Sequence, residues 1–103
     1  MIYRLRIYKV IPENAETFHQ FFLTRLLPVQ LRHGARLVGR WQTDDKRVVA
    51  VWEYDSEEEY RRIADAIRSD SDSIAAQEYR RKSLPPFWTE RQEVLMRSTL
   101  TPG

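Results

Sequence analysis

Few residues of this sequence belong to the types that carry out acid–base or nucleophilic chemistry, and these few are scattered. The chain contains two histidines, His19 and His33, and no cysteine. Two histidines that share no helical turn lack the spacing of a metal site. The absence of cysteine removes disulfides, thiolate catalysis and Cys-based zinc sites together. We therefore expect neither a bound metal nor a cofactor.

The side chains best suited to hold a small molecule are Arg6, Tyr8, His33, Trp41 and Trp52. Arg6 is able to bind a carboxylate or a phosphate, or to pair with an acidic residue of a partner subunit. His33 is a candidate base or ligand, but a histidine in the last turn of a helix is also explained by the helix dipole. The tryptophans suit a flat apolar pocket, although such residues on strands more often belong to a core or an interface.

Composition excludes several classes of protein. The 103 residues fit one domain, 1–103, with 42% hydrophobic and 31% charged residues. A net charge of +2 is too even a balance to indicate nucleic-acid binding. No apolar run approaches the roughly 20 residues that cross a bilayer, and no signal peptide is recognisable. We expect a cytoplasmic protein without a membrane or nucleic-acid partner.

Four segments have the alternation or the β-branched and aromatic content of strands. Residues 37–54 read as a hairpin, in which strands 35–43 and 47–54 flank the polar break Asp44-Asp45-Lys46. Residues 2–11 alternate with apolar residues on both faces, which predicts a central strand. A weaker pattern within residues 90–100 predicts an edge strand.

Two main helices and one short helix are predicted between these strands. The first carries a stripe that includes Phe18, Phe21 and Phe22, with Asn14 as its N-cap, a kink or break at Pro28 and an end at His33-Gly34. In the second, Ser56 and Glu59 have capping-box spacing, and an apolar stripe follows. The short helix covers residues 74–82, with Ile74 and Tyr79 as its anchors.

The order βαββαβ predicts a ferredoxin-like α+β fold, with a four-stranded antiparallel sheet and both main helices on one face. We expect the helices to cover the face of Leu5 and Ile7. The other face would hold Arg6, Tyr8, Ala50, Trp52 and Tyr54. Because that set is too aromatic to face water, we expect a second copy of the chain to cover it in a homodimer with an interface of about 2,000 Å² or more.

Five short segments carry a resemblance to a known family, in this order: Ile2-Tyr3-Arg4-Leu5-Arg6-Ile7-Tyr8, Leu27-Pro28, Arg32-His33-Gly34, Leu37-Val38-Gly39-Arg40-Trp41 and Val51-Trp52-Glu53-Tyr54-Asp55. Together they resemble the NIPSNAP family and span nearly the whole chain. The resemblance implies a dimeric α/β barrel, in which two sheets pack face to face. The wider group of such barrels includes monooxygenases that act on polycyclic or haem substrates, isomerases and binding proteins. The resemblance to the NIPSNAP family supplies no catalytic residues that could be assigned to this chain.

Two function hypotheses follow. In the first, the protein is a homodimer that binds a small apolar or aromatic ligand or acts through protein contacts. In the second, it is a cofactor-independent monooxygenase or isomerase, with a pocket between sheet and helices. A haem-degrading member would need an axial histidine, and we expect neither His19 nor His33 to bind haem. The sequence leaves open whether the chain is an enzyme.

Overall fold

One four-stranded antiparallel sheet forms the framework of the protein. The computed structural model describes residues 1–100. Its strands are β1 (Ile2–Val10), β2 (Arg36–Gln42), β3 (Arg47–Tyr54) and β4 (Trp88–Met96), in the spatial order β2-β3-β1-β4. The predicted ferredoxin-like fold is confirmed, with β1 and β3 central and β4 at an edge.

Four helices connect the strands. They are α1 (Ala15–Phe21), α2 (Leu27–Arg32), α3 (Glu57–Ser69) and α4 (Ser71–Ser83). Pro28 lies in the first turn of α2, and a π-helical turn over Phe22–Leu26 separates α2 from α1. Proline lacks a backbone N–H and crowds the preceding turn, which explains the π-helical turn before it. The helical backbone is irregular at this point but continues through Pro28, so the chain is not split there.

The ends of the helices test the predicted caps. Asn14 makes no capping hydrogen bond, and its Nδ2 donates instead to the Pro86 carbonyl oxygen at 2.7 Å, so the predicted cap is wrong. Gly34 has a φ of 100° and ends α2 as predicted. Ser56 Oγ accepts a hydrogen bond from the Glu59 backbone N–H at 3.1 Å, which confirms the start of α3.

Ser56→Ala should lower the free energy of unfolding by about 1 kcal/mol, because an early N–H of α3 loses its acceptor. Urea denaturation followed by circular dichroism measures this loss. Ser83→Ala, at the exposed last residue of α4, is the matched control and should change stability by less than about 0.5 kcal/mol. Equal effects of the two substitutions would contradict the capping role of Ser56.

The helices cover the face of the sheet opposite to the one that was predicted. The helices cover the face that carries Arg4, Arg6, Tyr8, Ala50 and Trp52. The register confirms that these residues share a face, but they belong to the side buried within the chain. Aromatic rings bury the most apolar area when they pack against the helices. Guanidinium groups on the same face stack on these rings, so the arginines do not prevent the burial of this face.

The other side of the sheet carries no helix, and we call it the open face. Glu53 and Gln92 lie on it, and its apolar residues are Tyr3, Leu5, Ile7, Trp41, Val49, Val51, Val94 and Met96. Trp41 is 52% exposed, and a Cβ atom at Gly39 would collide with its indole. Gly39 therefore lets the Trp41 ring lie back along β2. The open face is a broad apolar surface rather than a polar one.

Helix α4 is longer and more weakly anchored than predicted. Ile74 is 54% exposed and Tyr79 is 40% exposed, so neither is an anchor in the core. The buried residue of α4 is Ala76, and the Arg25 guanidinium stacks over the Tyr79 ring at 4.6 Å. A small residue at the contact lets α4 approach the core closely, which a search for large apolar side chains does not reveal.

Candidate functional site

A cavity of about 150 Å³ lies between the helix-covered face of the sheet and the helices. Aromatic rings form much of its wall: Tyr8, Phe18, Phe22, Trp52 and Trp88. The Tyr8 and Trp88 ring centroids are 4.9 Å apart, and those of Phe22 and Trp52 are 6.2 Å apart. Such a wall provides apolar contact for a planar ligand.

Strand register sets the polar part of the cavity. Ala50 on β3 pairs with Arg6 of β1 on one side and with Arg40 of β2 on the other. The smallest side chain of the row therefore stands between two arginines. A register shift between Leu37 and Gly39 gives both Leu37 and Arg40 partners on the helix-covered face, Trp52 and Ala50 respectively, despite their opposite parity in the sequence.

The charge of the cavity is positive. Its lining includes Arg4, Arg6, Arg25, Arg40, Arg80 and Arg91, and no aspartate or glutamate among residues 1–100. Burial lowers the pKa of the Arg6 and Arg40 guanidinium groups from the ordinary value, because desolvation disfavours the charged form. Arg4, which is buried, has a carboxylate near it, that of Glu93 at 3.6 Å.

Four buried side-chain atoms have no hydrogen-bond partner within the described part of the chain. They are Arg4 Nε, Arg6 Nε, Arg40 Nη2 and Gln30 Oε1. All four residues line the cavity. Because buried polar atoms without partners are uncommon in folded proteins, their concentration here marks the cavity as a candidate binding site.

Of the residues singled out in the sequence, the structure brings Arg6, Tyr8 and Trp52 together at this cavity. Trp41 lies on the open face, and His33 lies at the end of α2 beside Asp70. The five candidate residues are thus divided between three places in the fold. Neither Trp41 nor His33 lines the cavity.

Sequence reasoning misses Arg40 and Phe22 as cavity residues. Phe22 is predicted as a core residue alone, whereas Trp88 is one of the three tryptophans that suit a flat apolar pocket, and it does line the cavity. Arg40 follows the irregular register of β2, so period-two alternation counted from Leu37 puts it on the wrong face. The one available signal was the concentration of arginine and aromatic residues on the strands.

His33 belongs to a network of charges between α2 and α4. Asp70 Oδ2 accepts hydrogen bonds from His33 Nε2 and from Arg32 Nη2, each at 2.6 Å. Asp70 is also the N-cap of α4, where its Oδ1 accepts from the Asp72 N–H at 2.8 Å. The hydrogen bonds from Arg32 and then His33 hold the pKa of the Asp70 carboxyl well below its usual range.

Asp70→Asn should reduce the acid sensitivity of folding. Because the folded-state pKa of Asp70 is lower than its unfolded value of about 3.9, its ionised form stabilises the protein above that pH, and this contribution is lost as the pH falls. Urea unfolding between about pH 6 and pH 2 should show a flatter decline in the variant than in the wild type. Identical slopes would contradict the network.

The histidines do not offer a ligand set at the cavity. His19 Nδ1 accepts from Arg40 Nη1 at 2.9 Å, and its Nε2 lies 3.0 Å from Gln42 Oε1. Neither His19 nor His33 is part of the lining. Within residues 1–100, no cluster of three or more histidine, aspartate or glutamate side chains has metal-binding geometry.

The described helices include none with the length and apolarity to span a bilayer.

Solved structures of several proteins resemble this one. A NIPSNAP domain protein from Burkholderia xenovorans is 20% identical, with a TM-score of 0.82 and 100% of each chain covered. A NIPSNAP-like domain protein from the same organism is 27% identical, with a TM-score of 0.78 over 99% of this chain and 89% of that one. A proposed antibiotic biosynthesis monooxygenase from Nitrosomonas europaea is 12% identical, with a TM-score of 0.68 over 96% and 99% of the two chains, a likeness in fold alone.

Two comparisons of the sequence complement the structural one. No curated protein is significantly similar in sequence. The family description of NIPSNAP matches residues 3–96, which is nearly the whole chain. The chain therefore belongs to the NIPSNAP family.

Proposed function

We propose that this protein is a homodimer in which each subunit binds one small aromatic molecule in the cavity between its own sheet and helices. The cavity itself is the observation that carries the proposal. Its volume of about 150 Å³ equals that of an engineered apolar cavity that holds benzene. A single aromatic ring therefore fits, whereas a porphyrin or a polycyclic compound would need the walls to move apart.

The open face supports the homodimer. Its apolar side chains on β1 and β3, such as Leu5 and Val51, form a continuous surface that monomeric proteins rarely expose. Arg36 at its border pairs with Glu53 at 2.8 Å, so the border is polar and mixed in sign. An apolar centre with a mixed polar border is self-complementary, as a twofold interface requires. Two such faces packed about 10 Å apart would make the α/β barrel.

The alternative, a cofactor-independent monooxygenase or isomerase, is less well supported. Proton abstraction from a substrate needs a base within hydrogen-bond reach. The ionisable side chains that line the cavity among residues 1–100 are arginines and Tyr8, with no carboxylate or imidazole. The likeness to the monooxygenase fold does not supply such a base.

We also assign the protein to the cytoplasm, because a chain without cysteine suits a reducing compartment.

Filling the cavity tests the binding function. A panel of neutral and anionic single-ring aromatic compounds is titrated calorimetrically into the wild type and into Ala50→Leu, which adds three carbons at the cavity floor. We expect at least one compound to bind once per subunit and to lose its affinity in Ala50→Leu. Ala75→Leu, at an exposed position of α4, is the control that should bind normally. Binding that survives Ala50→Leu would contradict the proposal.

A further inference from the structure

We propose that the molecule bound in this cavity is an aromatic monocarboxylate, with its ring between the aromatic walls and its carboxylate on Arg6 and Arg40. This inference rests on the proposed binding function and gives it a ligand class. Its basis is the pair of arginines on either side of Ala50, which the strand register places in one row of the sheet.

Neither arginine makes a salt bridge among residues 1–100. Glu93, which is opposite Arg6 in the sheet, lies within salt-bridge distance of Arg4, at 3.6 Å, rather than of Arg6. Their charges rest on aromatic faces instead, since Arg6 lies 5.3 Å from the centroid of Tyr8 and Arg40 lies 4.3 Å from that of Phe22. Ring faces offset part of the cost of burying a cation but accept no strong hydrogen bond.

Donors remain available on both groups. Arg6 Nε and Arg40 Nη2 are buried and have no acceptor in the described residues. A carboxylate has two oxygens and accepts hydrogen bonds in the plane of a guanidinium group, which makes it the ligand that satisfies such donors best. A neutral ligand of the same shape would give these two nitrogen atoms no charged acceptor.

Arg40 is held in place from outside the cavity. Its Nη1 donates to His19 Nδ1 at 2.9 Å, and His19 Nε2 lies 3.0 Å from Gln42 Oε1. Because arginine only donates, Nδ1 must be the acceptor, and the ring proton must be on Nε2, where it faces the Gln42 oxygen. One nitrogen of Arg40 is thus fixed by protein, which leaves the other, Nη2, for a ligand.

The volume of the cavity limits the size of the ligand's apolar part. A volume of about 150 Å³ admits one benzene-sized ring with a small substituent, and seven aromatic side chains line it. A free inorganic anion would leave that apolar wall without contacts. A ring that carries a carboxylate uses both the rings and the arginines.

The test compares benzoate with benzamide, a neutral compound of the same shape, by isothermal titration calorimetry at fixed ionic strength. We expect benzoate to bind wild type at least about 10-fold more tightly than benzamide, the range for hydrogen bonds to a charged group. Arg6→Met and Arg40→Met should each weaken benzoate about 10- to 100-fold and leave benzamide nearly unchanged. Arg81→Met, at an exposed arginine outside the cavity, should change neither.

Melting temperatures of the ligand-free variants provide a second measurement. Replacing a partly buried cation that makes no salt bridge by an apolar side chain should leave the melting temperature unchanged or raise it. A large decrease in both variants would mean that Arg6 and Arg40 serve the fold instead, and would overturn the assignment of a ligand anion to them.

The outcomes separate the inference from the function on which it rests. Equal binding of benzoate and benzamide, both lost in Ala50→Leu, would overturn the carboxylate and keep the aromatic site. Inorganic phosphate that competes fully with benzoate at the same concentration would show that charge alone is recognised, and would overturn the ligand class. Failure of both compounds and of the whole neutral and anionic panel would remove the binding function as well.

Discussion

Leu5→Glu should dissociate the proposed homodimer into folded monomers. Leu5 lies on the central strand β1 of the open face, between Val51 of β3 and Val94 of β4. In a twofold dimer the substitution would bury two carboxylates without partners, each at a cost of several kcal/mol. The dimer dissociation constant should therefore rise about a thousandfold or more. Light scattering after size exclusion measures the mass of each species.

Ile74→Glu is the matched control for this result. Ile74 is 54% exposed, close to the 52% of Trp41 on the open face, but it belongs to α4 on the opposite side of the sheet. It should remain dimeric. A Leu5→Glu protein that stays dimeric, or an Ile74→Glu protein that dissociates, would place the subunit interface elsewhere.

Ile63→Ala should cost about 2 to 5 kcal/mol of stability, the largest loss expected from an aliphatic side chain of α3. Ile63 is 2% exposed and packs in the same cluster as Phe22, Ala35 and Tyr54. Removing its outer carbons leaves a cavity that the surrounding rings do not collapse to fill. Urea denaturation at one fixed protein concentration measures the loss.

The same substitution at two other isoleucines calibrates the measurement. Ile67 is only partly buried at the edge of this cluster, and Ile74 is 54% exposed. We expect the cost to fall in the order Ile63, Ile67, Ile74, with Ile74→Ala within about 0.5 kcal/mol of wild type. A cost at Ile67 equal to that at Ile63 would contradict the assigned orientation of α3.

Local signals predicted the elements of the fold well. The strand predicted over residues 47–54 is observed as Arg47–Tyr54, and α3 begins after Ser56 as its capping residues indicate. Both depend on neighbours in the sequence. The cap at Asn14 failed because a tertiary contact, the carbonyl of Pro86, competes for its side chain.

The face of the sheet that the helices cover was not predictable from alternation. Period-two spacing groups Arg6, Tyr8 and, through pairing, Trp52 on one side, but it does not say which side receives the helices. In β1 both sets contain apolar residues, so the usual contrast between polar and apolar faces is missing. Bulk decides the outcome, since the rings of Tyr8 and Trp52 fill the space beneath the aromatic residues of α1 and the following turn.

The sequence predicted the types of residue that form the candidate site better than it predicted which individual residues belong to it. The expected combination of arginine, tyrosine and tryptophan exists, built from Arg6, Tyr8 and Trp52. Arg40 enters it only through the irregular register of β2, which is a property of strand pairing. Trp41 and His33 are placed elsewhere by the same pairing and by the Asp70 network.

The three tryptophans of the chain provide the most direct test, because each indole N–H is a separate signal in a proton–nitrogen correlation spectrum. Trp52 and Trp88 line the cavity, whereas Trp41 lies on the open face. Titration of the protein with benzoate should shift the signals of Trp52 and Trp88 and leave that of Trp41 in place, with single Trp→Phe variants supplying the assignments. A shift confined to Trp41, with Trp52 and Trp88 unchanged, would contradict a ligand site between sheet and helices.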